Sequence, residues 1–190
     1  MFPLEMALLF LSQFIFTSLI IVLLLRFCLQ LSGASAHNII TQWVIKITRP
    51  CLKPLQWILP SWRRFDSSVI VVALLLSMLK VFIYGYLKLG IDFPILPIFI
   101  FSCAQLLQFI LQLYGIAVIA QAVLSWVNPE ANPLSDLLYI LTAPLLNLAR
   151  RFIPTVGGFD LSPVAVWLSL QIVNIVIVAP IMQRSLWMIY

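Results

Sequence analysis

Residues 132–163 read NPLSDLLYILTAPLLNLARRFIPTVGGFDLSP. Asn132 can accept the first free N–H groups of a helix. Pro133 then sits at the first helical position, where its missing N–H costs nothing. Leu134, Leu137, Leu138, Leu141 and Leu145 follow at helical spacing. Ser135, Asp136 and Thr142 lie mostly elsewhere on the wheel, so the pattern predicts an amphipathic helix suited to a membrane surface. Pro144 and Pro154 are expected to break it. The end of the stretch, RRFIPTVGGFDLSP, admits two readings. It is a ligand-cradling loop with a poised carboxylate, or it is the way a helix enters a membrane.

Composition favours the membrane. The chain has 190 residues, 63% hydrophobic and 9% charged, with a mean hydropathy of +1.12. A soluble domain is nearer half apolar and a quarter charged, so this charge cannot cover a water-facing surface. Spans of about 20 apolar residues are expected near 6–25, 69–87, 97–126 and 163–182. Arg26 is taken to close the first and Arg184 the last. Ala34-Ser35-Ala36 resembles a signal-peptide cleavage site, but the preceding apolar run is too long and its start carries Glu5 and no basic residue. A retained helix is expected.

Segments 38–65 and 132–159 are apolar but carry Pro50, Pro54 and Pro60 in one and Pro144 and Pro154 in the other. Exposed irregular backbone is not tolerated in lipid, so each is expected to be a broken amphipathic segment in the interface or a covered hairpin. A shift of 94 residues aligns them. Over 38–76 against 132–170, the Asn38/Asn132, Thr48/Thr142, Pro50/Pro144, Leu52/Leu146, Pro60/Pro154, Phe65/Phe159, Asp66/Asp160, Ser68/Ser162, Val72/Val166, Leu74/Leu168 and Leu76/Leu170 pairs are identical, 11 matches in 39 positions. Shared leucines can follow from composition; matched Asn, Pro, Phe-Asp and Ser do not. The fold expected is all-α, with four transmembrane helices. Two parallel helix–amphipathic hairpin–helix repeats, 1–92 and 93–190, face the same way.

The formal net charge is +5, from 11 basic and 6 acidic residues. Arg26, Lys46, Arg49, Lys53, Arg63, Arg64, Arg150 and Arg151 fall on the hairpin side, against Lys88 and Arg184 opposite. The positive-inside rule then puts the hairpins in the cytoplasm and both termini outside. Arg49, Arg63, Arg64, Arg150 and Arg151 are candidate contacts to anionic headgroups or a partner protein. Trp43, Trp57, Trp62, Trp126 and Trp167 read as interface anchors.

LLLRFCLQ (23–30), TRPCLKPLQWILP (48–60) with FDSS (65–68), and LSWVNPEANPLSDLLYILTAPLLNLARRFIPTVGGFDLSP (124–163) together resemble the YggT family of small bacterial membrane proteins with chloroplast relatives. The resemblance implies an accessory protein of the bacterial inner membrane, linked to osmotic or ion homeostasis or to membrane protein assembly. It carries no catalytic residues. One departure is Ser61-Trp62-Arg63-Arg64 where the second copy has Thr155-Val156-Gly157-Gly158, so a glycine-cradled ligand common to both copies is not expected.

No phosphate loop, dinucleotide fingerprint or zinc-protease motif is present. His37 is the only histidine, and Cys28, Cys51 and Cys103 show neither zinc nor disulfide spacing. No enzyme activity, cofactor, metal or nucleic acid is expected; the bilayer, other membrane proteins and further copies of the chain are the expected partners. Within the spans, Ser77, Lys80 and Tyr84 share one helix face, Gln105, Gln108 and Gln112 form a second stripe, and Asn174 follows Gln171 by three. Intramembrane ionisable groups usually face the bundle interior. These residues form a candidate polar seam, set against the simpler reading of interhelical glue and a snorkelling Lys80. Asp66, Ser68, Asp160 and Ser162 are expected to cap the second and fourth spans.

Overall fold

A computed structural model describes residues 3–56, 66–89, 94–127, 132–153 and 160–188. These form α1 (Pro3–Leu31), α2 (Ile39–Gln56), α3 (Ser67–Leu89), α4 (Ile95–Val127), α5 (Pro133–Ala149), α6 (Ser162–Val173), a π turn (Asn174–Val178) and α7 (Ala179–Trp187). Four stretches are long and apolar enough to span a membrane: Met6–Leu31, Ser67–Leu87, Ile95–Ser125 and Ser162–Trp187. The 33 residues of α4 run about 50 Å at 1.5 Å per residue, which exceeds the hydrocarbon thickness and requires tilt or projection.

Two sequence expectations are corrected. Arg26 does not close the first span, because α1 continues to Leu31 and the arginine is buried among other elements. The prolines do not break the amphipathic segments either. α2 runs through Pro50 and Pro54 to Gln56, and α5 through Pro144 to Ala149. A proline orphans the carbonyl four residues earlier. Pro50 and Pro144 both lie on exposed sides of their helices, where polar surroundings at a membrane surface can satisfy that carbonyl. Pro180 lies two residues beyond the end of the π turn, whose wider winding is one way a helix accommodates a proline ring. The expected breaks at Pro60 and Pro154, and the Gly157-Gly158 pair, lie outside the described residues.

The packing repeats as the sequence does. In the first copy α1 packs on α2 and α3, and α2 on α3; in the second, α4 packs on α5 and α6, and α5 on α6. The two cores share three equivalent positions at the same 94-residue shift. Leu24, Leu52 and Val72 lie in one buried cluster; Val118, Leu146 and Val166 form the other. The copies join mainly through α4, which also touches α1 and α3. Cys28 of α1 packs there with Ala117, Leu138 and Leu141.

Both amphipathic helices begin on their matched asparagines. Asn38 Oδ1 accepts from Ile40 N at 2.9 Å, and Asn132 Oδ1 from Leu134 N at 3.0 Å and Ser135 N at 2.8 Å. Asn38 Nδ2 also donates to the Pro133 carbonyl at 2.7 Å, tying the start of α2 to the start of α5. The matched threonines are fully buried, and each donates back into its own helix, Thr48 to Val44 O at 2.7 Å and Thr142 to Leu138 O at 2.8 Å. This is why Asn and Thr are retained in both copies.

Candidate functional site

The strongest polar contact in the first copy centres on Arg26. Its Nη1 donates to Thr48 Oγ1 at 2.8 Å and its Nη2 approaches Asp66 Oδ2 at 3.4 Å. Both charged side chains are 10% exposed. The pair joins α1, α2 and the start of α3 around one guanidinium. Nothing in the local sequence marked Arg26 as internal, since an arginine after 20 apolar residues normally ends a span. The available signal was the retained Asp66, a buried carboxylate that needs a cation.

The second copy has Ala120 where the first has Arg26. Asp160 pairs instead with Arg150 at the end of α5, with Nε and Nη2 both 2.9 Å from Oδ2. This pair is open to solvent, the side chains being 45% and 32% exposed. Arg150 therefore has an internal partner beside its expected headgroup position. Asp160 Oδ1 accepts from Ser162 N at 2.9 Å. The N-cap of α6 is Leu161, which makes no side-chain cap, and the expected Ser162 hydroxyl does not supply one; Ser162 Oγ is buried with no hydrogen-bond partner among the described residues, and so is Ser68 Oγ. In the first copy the entering helix is closed by Val69 N donating to the Asp66 carbonyl at 3.0 Å.

Burial tends to raise the Asp160 carboxyl, but the Ser162 N–H bond and pairing with Arg150 outweigh it and hold it below the ordinary carboxylate range. A carboxylate depressed in the folded state contributes stability that is complete above its unfolded value, near pH 4, and is lost as pH falls through the lower folded value. The melting-temperature gap between the natural chain and Asp160→Asn is therefore expected to stay constant from pH 7 to 5 and to close below about pH 4. Thermal unfolding in detergent across that range checks it.

The residues of the intramembrane seam divide. Ser77 is fully buried and its hydroxyl donates to Gln105 Oε1 at 3.0 Å. Lys80 Nζ lies 3.5 Å from Thr17 Oγ1 and 5.3 Å from the centre of the Phe109 ring. The seam therefore runs between α1, α3 and α4, and Thr17 and Phe109 belong to it although the sequence reading passed over them. Tyr84 and Gln108 are half-buried, and Gln112 is exposed on α4 and lies off the seam. Asn174 sits at the opening of the π turn, with its Oδ1 buried and no hydrogen-bond partner among the described residues. The 94-residue shift makes it the counterpart of Lys80.

On α2, Lys46, Arg49 and Lys53 are all exposed, at i, i+3 and i+7, with Lys46 Nζ 5.8 Å from the ring centre of exposed Trp43. The equivalent positions of α5 are Ile140, Ala143 and Asn147, so the basic stripe belongs to one copy only. Arg151 is exposed after α5. Arg63, Arg64, Trp57 and Trp62 lie outside the described residues. A surface cleft of about 510 Å³ separates the starts of α2 and α5, lined among others by Ser35, His37, Asp136 and Tyr139. Among the described residues no cluster of His, Cys, Asp and Glu could hold a metal ion.

This architecture defines a multi-pass helical membrane protein made of a duplicated two-span unit, each unit carrying an amphipathic helix between its spans. The CCB3/YggT family model matches residues 6–87 and 100–181, once in each copy. The chain belongs to the YggT family. It is 34% identical over 164 residues to YggT of Escherichia coli K12, covering 86% of this chain and 85% of the relative. An uncharacterised protein of Pseudomonas aeruginosa is 31% identical over 94% of this chain and 91% of its own length. One from Haemophilus influenzae is 33% identical over 81% and 82%. No solved structure matches.

Proposed function

We propose that this chain is a non-enzymatic accessory protein of the bacterial inner membrane that organises other membrane components or assists their assembly. The observation that carries this reading is the exposed Lys46–Arg49–Lys53 stripe of α2, held in place by the buried Arg26–Thr48–Asp66 contact. A rigidly seated, asymmetric basic helix at the membrane surface suits a docking platform for acidic segments of partner proteins or anionic headgroups. The hairpins lie in the cytoplasm and both termini in the periplasm, in keeping with the distribution of basic residues. Polar groups of the first three spans are engaged across their interfaces, Ser77 with Gln105 and Lys80 with Thr17 and Phe109. That engagement suits interhelical glue better than a solvated path.

One observation favours a second reading, a small channel or transporter that contributes to osmotic or ion balance. Lys80 and Asn174 are repeat-equivalent polar residues deep in the second span of each copy, and Asn174 opens a π turn, a feature frequent at functional sites. Four spans make a thin bundle, so this reading needs a homo-oligomer. Reconstitution in proteoliposomes distinguishes the two. The accessory reading expects no ion flux above that of empty vesicles. Flux that Lys80→Met abolishes establishes the transporter instead.

A further inference from the structure

Two cavities of the second copy adjoin. The first, about 100 Å³, has a mixed lining in which Gln121, Ser125, Tyr139, Arg150 and Asp160 supply polar groups. The second, about 180 Å³, is apolar and runs between α4 and α6 along Ile119, Val123, Val164 and Trp167. Ala122 and Pro163 line both. The first cavity sits where α4 ends its apolar span at Ser125 and α6 begins its own at Ser162, which is headgroup depth; the apolar groove leads from there into the span.

Part of the polar lining is peculiar to this copy, while Asp160 and Arg150 correspond to the polar Asp66 and Gln56 of the first. At the 94-residue shift the counterparts of Gln121, Ala122, Ser125 and Tyr139 are Phe27, Cys28, Leu31 and Ile45, all apolar. Gln121 Oε1 is buried with no hydrogen-bond partner among the described residues, an arrangement that costs free energy unless a donor supplies the bond. Asp160, whose Oδ1 takes one N–H and whose Oδ2 takes Arg150, retains further lone pairs and offers negative charge beside it. Arg150 supplies positive charge on the same wall.

We propose that this double cavity binds one phospholipid with a primary-amine headgroup. The ammonium donates to Gln121 Oε1 and Asp160, the phosphate lies against Arg150, and one acyl chain fills the groove between α4 and α6. The demand for a hydrogen-bond donor separates this headgroup from a quaternary choline, which has the same charge and no N–H; the demand for a cation beside Asp160 separates it from a glycerol headgroup, whose hydroxyls donate but carry no positive charge. The proposal is independent of whether the protein scaffolds or transports.

The test titrates the detergent-solubilised full chain with palmitoyl-oleoyl phosphatidylethanolamine, phosphatidylcholine and phosphatidylglycerol, and counts bound lipids by native mass spectrometry. One saturable ethanolamine lipid is expected, held at least about tenfold more tightly than the choline lipid, because charge-assisted hydrogen bonds are lost with choline. Gln121→Leu is expected to erase that preference while leaving the melting temperature within a few degrees of the natural chain. Ala122→Leu, which closes the junction, is expected to remove the saturable site altogether. Equal affinity for ethanolamine and choline lipids, equal or tighter binding of the glycerol lipid, or a preference that survives Gln121→Leu overturns the proposal.

Discussion

Arg26→Leu is expected to destabilise the folded protein by about 3–5 kcal/mol, and Arg150→Leu by about 1 kcal/mol or less. The two arginines pair with repeat-equivalent aspartates, so the contrast isolates environment. Arg26 and Asp66 are each 10% exposed, and the guanidinium also holds Thr48. Removing the cation takes the charged partner from a carboxylate that stays buried, and leaving such a charge without its counter-ion is costly. Arg150 and Asp160 are exposed to 45% and 32%, where water and counter-ions replace a lost partner. Reversible unfolding in mixed detergent micelles measures both. The double variant Arg26→Met with Asp66→Leu is expected to recover most of the loss, since well-packed apolar residues often replace a buried ion pair at little cost. Equal effects of the two single substitutions would mean that the buried contact does not seat α2.

The second large effect falls on the surface of α2. Each basic side chain near an anionic membrane contributes about 1 kcal/mol. Replacing Lys46, Arg49 and Lys53 together by glutamine is therefore expected to weaken association with an anionic surface by about 3 kcal/mol, on the order of a hundredfold. The same three substitutions leave the core clusters untouched, so the melting temperature is expected to move by no more than about 2 °C. The matching changes in α5 have no charge to remove, because Ile140, Ala143 and Asn147 occupy those positions. Pull-down of membrane complexes from native membranes, compared between the natural chain and the triple variant, reads the outcome.

The duplication was legible because identical Asn, Thr, Pro and Asp residues recur at one spacing, and each has a local mechanical duty. Asn38 and Asn132 cap, Thr48 and Thr142 bond back into their helices, and Leu52 and Leu146 are core residues of their own copies. The four spans were legible from apolar length alone. The site was less so, because its main contacts are not local. Arg26 meets Thr48 and Asp66 across 22 and 40 residues, and no periodicity signals that. Proline was over-read as a helix breaker, because the sequence does not reveal that Pro50 and Pro144 face outward. The start of α6 carries a similar ambiguity: Asp160 and Ser162 are both good cap residues, and only geometry shows that Asp160 Oδ1 takes Ser162 N while the Ser162 hydroxyl caps nothing.

The central claim is that α2 presents a docking surface for other membrane components. A photo-crosslinking residue placed at Arg49 in the full chain, activated in living cells, tests it most directly. Discrete adducts with the same few membrane proteins are expected, and they should disappear when Lys46 and Lys53 are changed to glutamine. Adducts only with lipid, unchanged by those substitutions, together with Lys80-dependent ion flux in vesicles, would contradict the claim.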